Sequence, residues 1–181
     1  MALVVNGDGN ITGLTAGGLP DASVTISEFA TNISGTGPAF NALLTNSIAV
    51  SQAAGNYNIN NAAFTEYFDY GGGFDATTGI FTAPVSGIYL FSFSIGYSNN
   101  GNDTDCNYQI YTTNRNYTVN AYNPALMGAV AGVDGSFWFS QTIMADMNAG
   151  HTAYMLIYSN DTSYNILNNG TRFSGCLLRN I

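Results

Sequence analysis

Ile88-Tyr89-Leu90-Phe91-Ser92-Phe93-Ser94-Ile95 alternates with the period of a β-strand. Its odd positions, Tyr89, Phe91, Phe93 and Ile95, form one continuous apolar face. The even positions begin apolar, with Ile88 and Leu90, and then turn to Ser92 and Ser94. One face therefore belongs to a core along its whole length, and the other is apolar at one end only. An isolated sandwich leaves that second face to water, so the half-apolar face predicts a neighbouring subunit; a loop or the N-terminal segment folded over it is the competing expectation. Outward from this strand the same habit continues. From Pro38 onward Tyr, Phe, Ile, Val and Thr dominate, short runs are broken by Gly, Asn and Pro, and no window keeps a helical period for three turns. The strands expected are Ala39 to Leu44, Ala63 to Tyr70, Gly79 to Thr82, Ile88 to Tyr97, Cys106 to Thr112, Asn116 to Ala121, Ser136 to Met144, Thr152 to Ser159 and Arg172 to Leu178. That set suits an all-β, two-sheet sandwich.

Composition narrows the function classes. The chain has 181 residues, room for one domain and a short appendage. Only 8% are charged, against about 25% in an average soluble protein, but 46% are hydrophobic, which excludes disorder by charge excess. There is no lysine, and Arg115, Arg172 and Arg179 stand against a formal charge of -8. No basic cluster is available for a run of phosphates, so nucleic acid and anionic membrane are excluded as expected partners. The first positive side chain is Arg115, so no secretory n-region is legible, and the longest apolar stretches, such as Leu126 to Val133, fall short of the roughly 20 residues of a membrane helix. Asn occurs 23 times and, with Thr and Ser, replaces Lys and Glu on the polar faces, a surface with little charge repulsion that suits side-by-side packing of subunits. Cys106 and Cys176 lack metal-ligand spacing and are read as buried free thiols or, less simply, one disulfide.

Residues 1 to 36 differ from the rest. MALVVNGDGNITGLTAGGLPDASVTISEFATNISGT is rich in Gly, Thr, Ser and Asn, with small apolar footholds at Leu3, Val4, Val5, Ile11 and Leu14. Such a segment cannot build its own core. It is read either as a docking segment that lies on another surface or as a flexible linker, with residues 37 to 181 as the folded head.

The run from Gly72 to Phe91, Gly-Gly-Phe-Asp-Ala-Thr-Thr-Gly-Ile-Phe-Thr-Ala-Pro-Val-Ser-Gly-Ile-Tyr-Leu-Phe, resembles the signature of the globular head of complement component C1q. The likeness includes Gly79, Gly87, the corner Pro84, and Tyr89 with Phe91. Pro38-Ala39-Phe40 resembles that family's first strand, and Arg172-Phe173-Ser174-Gly175-Cys176-Leu177-Leu178 its last. The physics of these positions agrees. Gly79 and Gly87 suit tight turns, Pro84 suits a strand corner, and Gly175 lies between the inward Phe173 and Leu177, where only bare backbone fits. The resemblance implies a ten-stranded jelly roll packed as a homotrimer, similar to tumour necrosis factor, with Ile88, Tyr89, Leu90 and Phe91 at the trimer interface. Two departures are visible: His151 stands where the family often carries an acid, and no Gly-X-Y stalk precedes the head. The opening MALVVNGDGNITGLTAGGLPD is similar to the starts of bacteriophage fibre and tail-associated virion proteins.

Catalytic constellations are weak. His151 is the sole histidine, no GxSxG elbow exists, and the triple glycine Gly71 to Gly73 lacks the Lys and helix of a phosphate loop and reads as a turn. Asp69 and Asp75, flanking that turn, read as turn residues rather than a glycosidase pair. Asn99 to Asp105 concentrates oxygen donors, so Asp103 and Asp105 are candidate calcium ligands, with an ordinary polar loop as the alternative. Trp138 is expected in the core, with a sugar-stacking platform as the alternative. Tyr108, Tyr111, Tyr117 and Tyr122, interleaved with Asn and Thr, are the candidate recognition surface for a host glycan or protein. The expectation is thus a non-enzymatic, trimeric virion-surface protein without an obligate cofactor, docked through residues 1 to 36 to other virion proteins. A purely architectural decoration protein is the second expectation.

Overall fold

The computed structural model describes residues 4–5, 11–12, 37–99, 105–122 and 135–181. The chain divides into two compact units, Met1–Gly35 and Thr36–Ile181. In the first, β1 (Val4–Val5) and β2 (Ile11–Thr12) pair antiparallel, Val4 opposite Thr12 and Val5 opposite Ile11. Leu3 and Leu14, and the side chains of Val4, Val5 and Ile11, lie outside the described residues.

The second unit is all strand: β3 (Ala39–Leu44), β4 (Ile48–Ser51), β5 (Gly55–Ile59), β6 (Phe64–Tyr70), β7 (Phe74–Asp75), β8 (Ile80–Thr82), β9 (Gly87–Asn99), β10 (Asp105–Thr112), β11 (Asn116–Tyr122), β12 (Gly135–Met147), β13 (Thr152–Ser159) and β14 (Ser163–Asn180). They form two antiparallel six-stranded sheets. One runs β11-β10-β13-β8-β7 with β5 also on β13; the other runs β12-β9-β14-β3-β6 with β4 also on β14. This is the two-sheet sandwich expected from the alternation, and the jelly roll that the resemblance to the C1q head implies, with twelve strands rather than ten among the described residues of this unit. Among the described residues, no helix is long and apolar enough to cross a membrane.

Between the sheets lies a core of aromatic rings. Phe40 stacks on Phe74 at 4.6 Å and on Phe81 at 5.0 Å, and meets Phe173 edge-on at 5.0 Å. Tyr89, Phe91, Phe93, Ile95 and Tyr97 all point into this core, each at most 2% exposed. Gly175 faces the same way; a Cβ there would lie 2.6 Å from Phe91 Cδ1 and 2.8 Å from Phe40 Cε1. Gly79 has φ +76 and closes the tight turn after β7, its N–H donating to Asp75 O at 2.7 Å. Pro84 is exposed in the bend between β8 and β9.

Most expected strands stand within a few residues of their observed ends. β4, β5, β7 and the first half of β14 were not expected. The sequences of β5 and the start of β14, Gly55-Asn56-Tyr57-Asn58-Ile59 and Ser163-Tyr164-Asn165-Ile166, are Asn-rich, and Asn has low β-propensity; β4 and β7, of four and two residues, are too short to show an alternation. They become strands by pairing, β5 on β13 and the start of β14 on β4 and β9. Trp138 corrects the expectation of a core residue: it is 53% exposed. On β12 the inward positions are Phe137 and Phe139, and the indole lies against backbone instead, where a Cβ on Gly170 would stand 2.6 Å from its Nε1.

Candidate functional site

Two outward sheet faces carry the candidate side chains. On the β12-β9-β14-β3-β6 sheet, the registers place Met144, Leu90, Cys176, Ala39 and Tyr70 side by side in one row across all five strands. Met144 and Tyr70 are each 65% exposed, Phe68 stacks beside Tyr70 at 5.2 Å, and Leu90 and Cys176 are half-buried. A shallow groove of about 260 Å³ runs along this row, lined by Ala39, Asn41, Phe68, Leu90, Ser174 and Cys176. The next row is polar: Thr142, Ser92, Ser174 and Asn41, with Thr142 Oγ1 donating to Ser92 Oγ at 3.1 Å. A bulge in β6 makes Tyr67 an extra residue, and Arg172 lies over its ring at 5.2 Å.

The placement separates the four residues expected at an interface. Ile88 and Leu90 face outward and are half-buried. Tyr89 and Phe91 are corrected: both are 0% exposed inside the protomer, and Tyr89 donates its hydroxyl to Val85 O at 2.8 Å, so neither is available to a neighbour. Burial also pushes the Tyr89 phenol up from its ordinary pKa.

The outer face of the other sheet is built from alternate residues of β10, β11, β13 and β5. Its rows are Asn116, Tyr111 and Tyr154; then Thr118, Gln109, Leu156 and Asn58; then Asn107, Tyr158 and Asn56. Tyr111 and Tyr154 stack at 4.9 Å and 23°. The Tyr154 phenol is raised, first by burial and then by the neighbouring Tyr111, which keeps its hydroxyl a neutral donor. Gln109 Nε2 donates to Asn107 Oδ1 at 2.7 Å, which holds both amides along the strand.

This geometry revises the expected tyrosine surface. Tyr111 faces outward as expected. Tyr108 is corrected: it is 0% exposed and stacks on Phe139 at 4.2 Å in the core, because it is one residue out of phase with Tyr111's face. Tyr117 pairs with Ile110 and packs on the core, where burial raises its phenol and the Arg115 charge opposes that rise. The side chain of Tyr122 lies outside the described residues. Tyr154 and Tyr158 complete the face; their alternation on Thr152 to Ser159 was the signal that could have found them.

The remaining candidates have structural partners. Asp69 accepts from the N–H groups of Gly73 and Phe74 at 3.3 and 3.1 Å. Asp75 accepts from Thr77 N and Oγ1 at 2.9 and 2.7 Å, and these bonds lower its pKa. His151 Nδ1 accepts from Asn148 N at 3.2 Å in the turn before β13. Gly71 and Gly72, with φ +90 and +65, form the expected turn. Cys106 and Cys176 are free thiols, the first buried and the second half-buried on the outward face. Asp105 is exposed at the start of β10 and Asp103 lies outside the described residues. Among the described residues no group of three acidic, His or Cys side chains converges as a metal site.

Comparison with known proteins gives the following. The family model for the C1q domain matches residues 39–178. Among solved structures, the chain is similar to the globular domain of zebrafish complement 1qA protein, with a TM-score of 0.52 and 21% identity over 80% of this chain and 99% of that one. It is also similar to murine APRIL at pH 8.0, with a TM-score of 0.53 and 12% identity over 78% and 98% of the two chains. Eiger TNF from S. frugiperda gives a TM-score of 0.53 and 12% identity over 80% and 95%. No curated protein matches it by sequence.

Proposed function

The chain belongs to the C1q domain family, and from that premise we propose that it is the head of a non-enzymatic, homotrimeric virion-surface protein that contacts the host. The observation that carries this reading is the exposed row Met144–Leu90–Cys176–Ala39–Tyr70, which crosses an entire sheet face. Contiguous apolar surface of that kind marks an interaction site, and three copies around an axis would bury it while leaving each tyrosine and amide face free. Residues 1 to 36 would seat the head on its particle; their likeness to phage fibre and tail-associated proteins supports that half of the reading.

Light scattering on the purified protein tests the assembly, with three times the 19.1 kDa chain mass expected at micromolar concentration. A particle of one chain mass overturns it. Binding of the purified trimer to host cells tests the display role. Unchanged infectivity combined with less stable particles after deletion would replace it with an architectural decoration role.

A further inference from the structure

We propose that the outer face of the β11-β10-β13-β5 sheet, centred on the stacked Tyr111 and Tyr154, binds an uncharged linear glycan. This deepens the recognition half of the proposed function and rests on it. The side chains on the outward parity from Asn107 to Tyr111, from Asn116 to Thr118, from Tyr154 to Tyr158 and at Asn56 and Asn58 are amides, phenols, one threonine and Leu156; Gln109 and Leu156, 8% and 4% exposed, form its floor, Asn56, Asn58, Asn116 and Thr118 are exposed, and Asn107 and the three tyrosines are half-buried. None of them is charged. Among the described residues, charges stand at its ends: Asp105 opens β10, Asp161 follows β13, and Arg115, in the β10–β11 turn, is bonded to Asp146 of the opposite sheet at 3.0 Å.

That composition selects the ligand. A phosphate, sulfate or uronate would find no cation here, and a basic peptide no carboxylate. An apolar partner would strip water from a dense set of amides and return nothing to them, a cost that only hydrogen bonds can offset. A polyol can supply those bonds, since its hydroxyls both donate and accept. No hydrogen bond among the described residues engages the side chains of Asn58, Asn116 or Tyr158, and unengaged groups of this kind are what a sugar hydroxyl requires. The Tyr111–Tyr154 stack supplies the other element, a rigid aromatic surface for the C–H face of a sugar ring. Two χ angles per tyrosine, already fixed by stacking, keep the ordering cost low.

The test uses the full chain and a panel of neutral hexasaccharides (cellohexaose, maltohexaose, mannohexaose) beside acidic ones (hexagalacturonate, hyaluronan hexamer), read by saturation-transfer NMR and calorimetry. Binding of at least one neutral member is expected, without binding of the acidic ones. Tyr111→Ser and Tyr154→Ser should each weaken it about five- to tenfold. Asn116→Ala, at an exposed position, should weaken it by a smaller factor, and gives a readout should the tyrosine variants melt early. Silence across the neutral panel, preference for an acidic member, or undiminished binding in all three variants overturns the proposal. Failure here is distinguishable from failure of the wider reading: a trimer that still binds host cells when Tyr111 is Ser sinks the glycan face and leaves display standing, whereas a monomer that binds cellohexaose does the reverse for assembly.

Discussion

Gly175→Ala is the substitution whose cost the structure prices most directly. The added Cβ would stand 2.6 Å from Phe91 Cδ1, 2.8 Å from Phe91 Cε1 and 2.8 Å from Phe40 Cε1. Neither ring can yield alone. Phe40 is held between Phe74 and Phe81, and Phe91 between Tyr89 at 5.9 Å and Phe173 at 5.7 Å, with all of these rings at most 6% exposed. Forcing an extra carbon into a close-packed core costs about 1–3 kcal/mol. Replacing a strand glycine by alanine returns about 0.5–1 kcal/mol of backbone entropy, so a net loss of about 0.5–2 kcal/mol remains. At about 2–4 °C per kcal/mol for a chain of this size, the melting temperature should fall by about 1–8 °C in scanning calorimetry at fixed protein concentration. Phe91→Leu removes the ring atoms that the Cβ meets, so a double-mutant cycle with Gly175→Ala should show favourable coupling above about 0.5 kcal/mol. An unchanged or raised melting temperature, or additive double-mutant effects, would refute the account of this core.

Three further outcomes are expected. Leu90→Asp places a carboxylate in the middle of the apolar row and should shift light scattering towards the single-chain mass; Cys176, half-buried on that row, should then react with a thiol reagent that it resists in the assembly, while Cys106 stays protected until unfolding. Arg115→Ala removes a salt bridge whose side chains are 58% and 44% exposed, so the urea midpoint should move by less than about 1 kcal/mol equivalent, and less still in 1 M salt, where the Debye length is about 3 Å. Asp75 has a folded-state pKa below its ordinary value, so its contribution is complete above the ordinary carboxylate range and disappears as pH falls through the folded value. Asp75→Asn should therefore flatten the acid limb of a stability-against-pH curve and leave the limb above neutrality unmoved; an unaltered acid limb would show that the turn does not depend on the carboxylate.

The fold was legible where one strand contains its own evidence. Ile88 to Ile95 alternates without interruption, and the observed odd face is the core. Gly175 was legible for the same reason, since Phe173 and Leu177 on either side define an inward face that a side chain would crowd. Legibility failed at Trp138, whose size predicts burial but whose parity on β12 opposes that of Phe137 and Phe139. It failed in β5, whose amides favour turns until a partner strand supplies hydrogen bonds.

The candidate faces divide in the same way. The period of two is a local property, so the chain alone determined that Tyr108 and Ile110 share one side of β10 while Tyr111 takes the other. Which side meets the core is set by pairing with residues far along the chain: Tyr111 opposite Tyr154, Leu90 opposite Met144 and Cys176. Only the folded molecule brings those partners to the one strand spacing at which side chains touch, and so only the tertiary structure decided that Tyr108 packs inside while Tyr111 and Tyr154 present a surface.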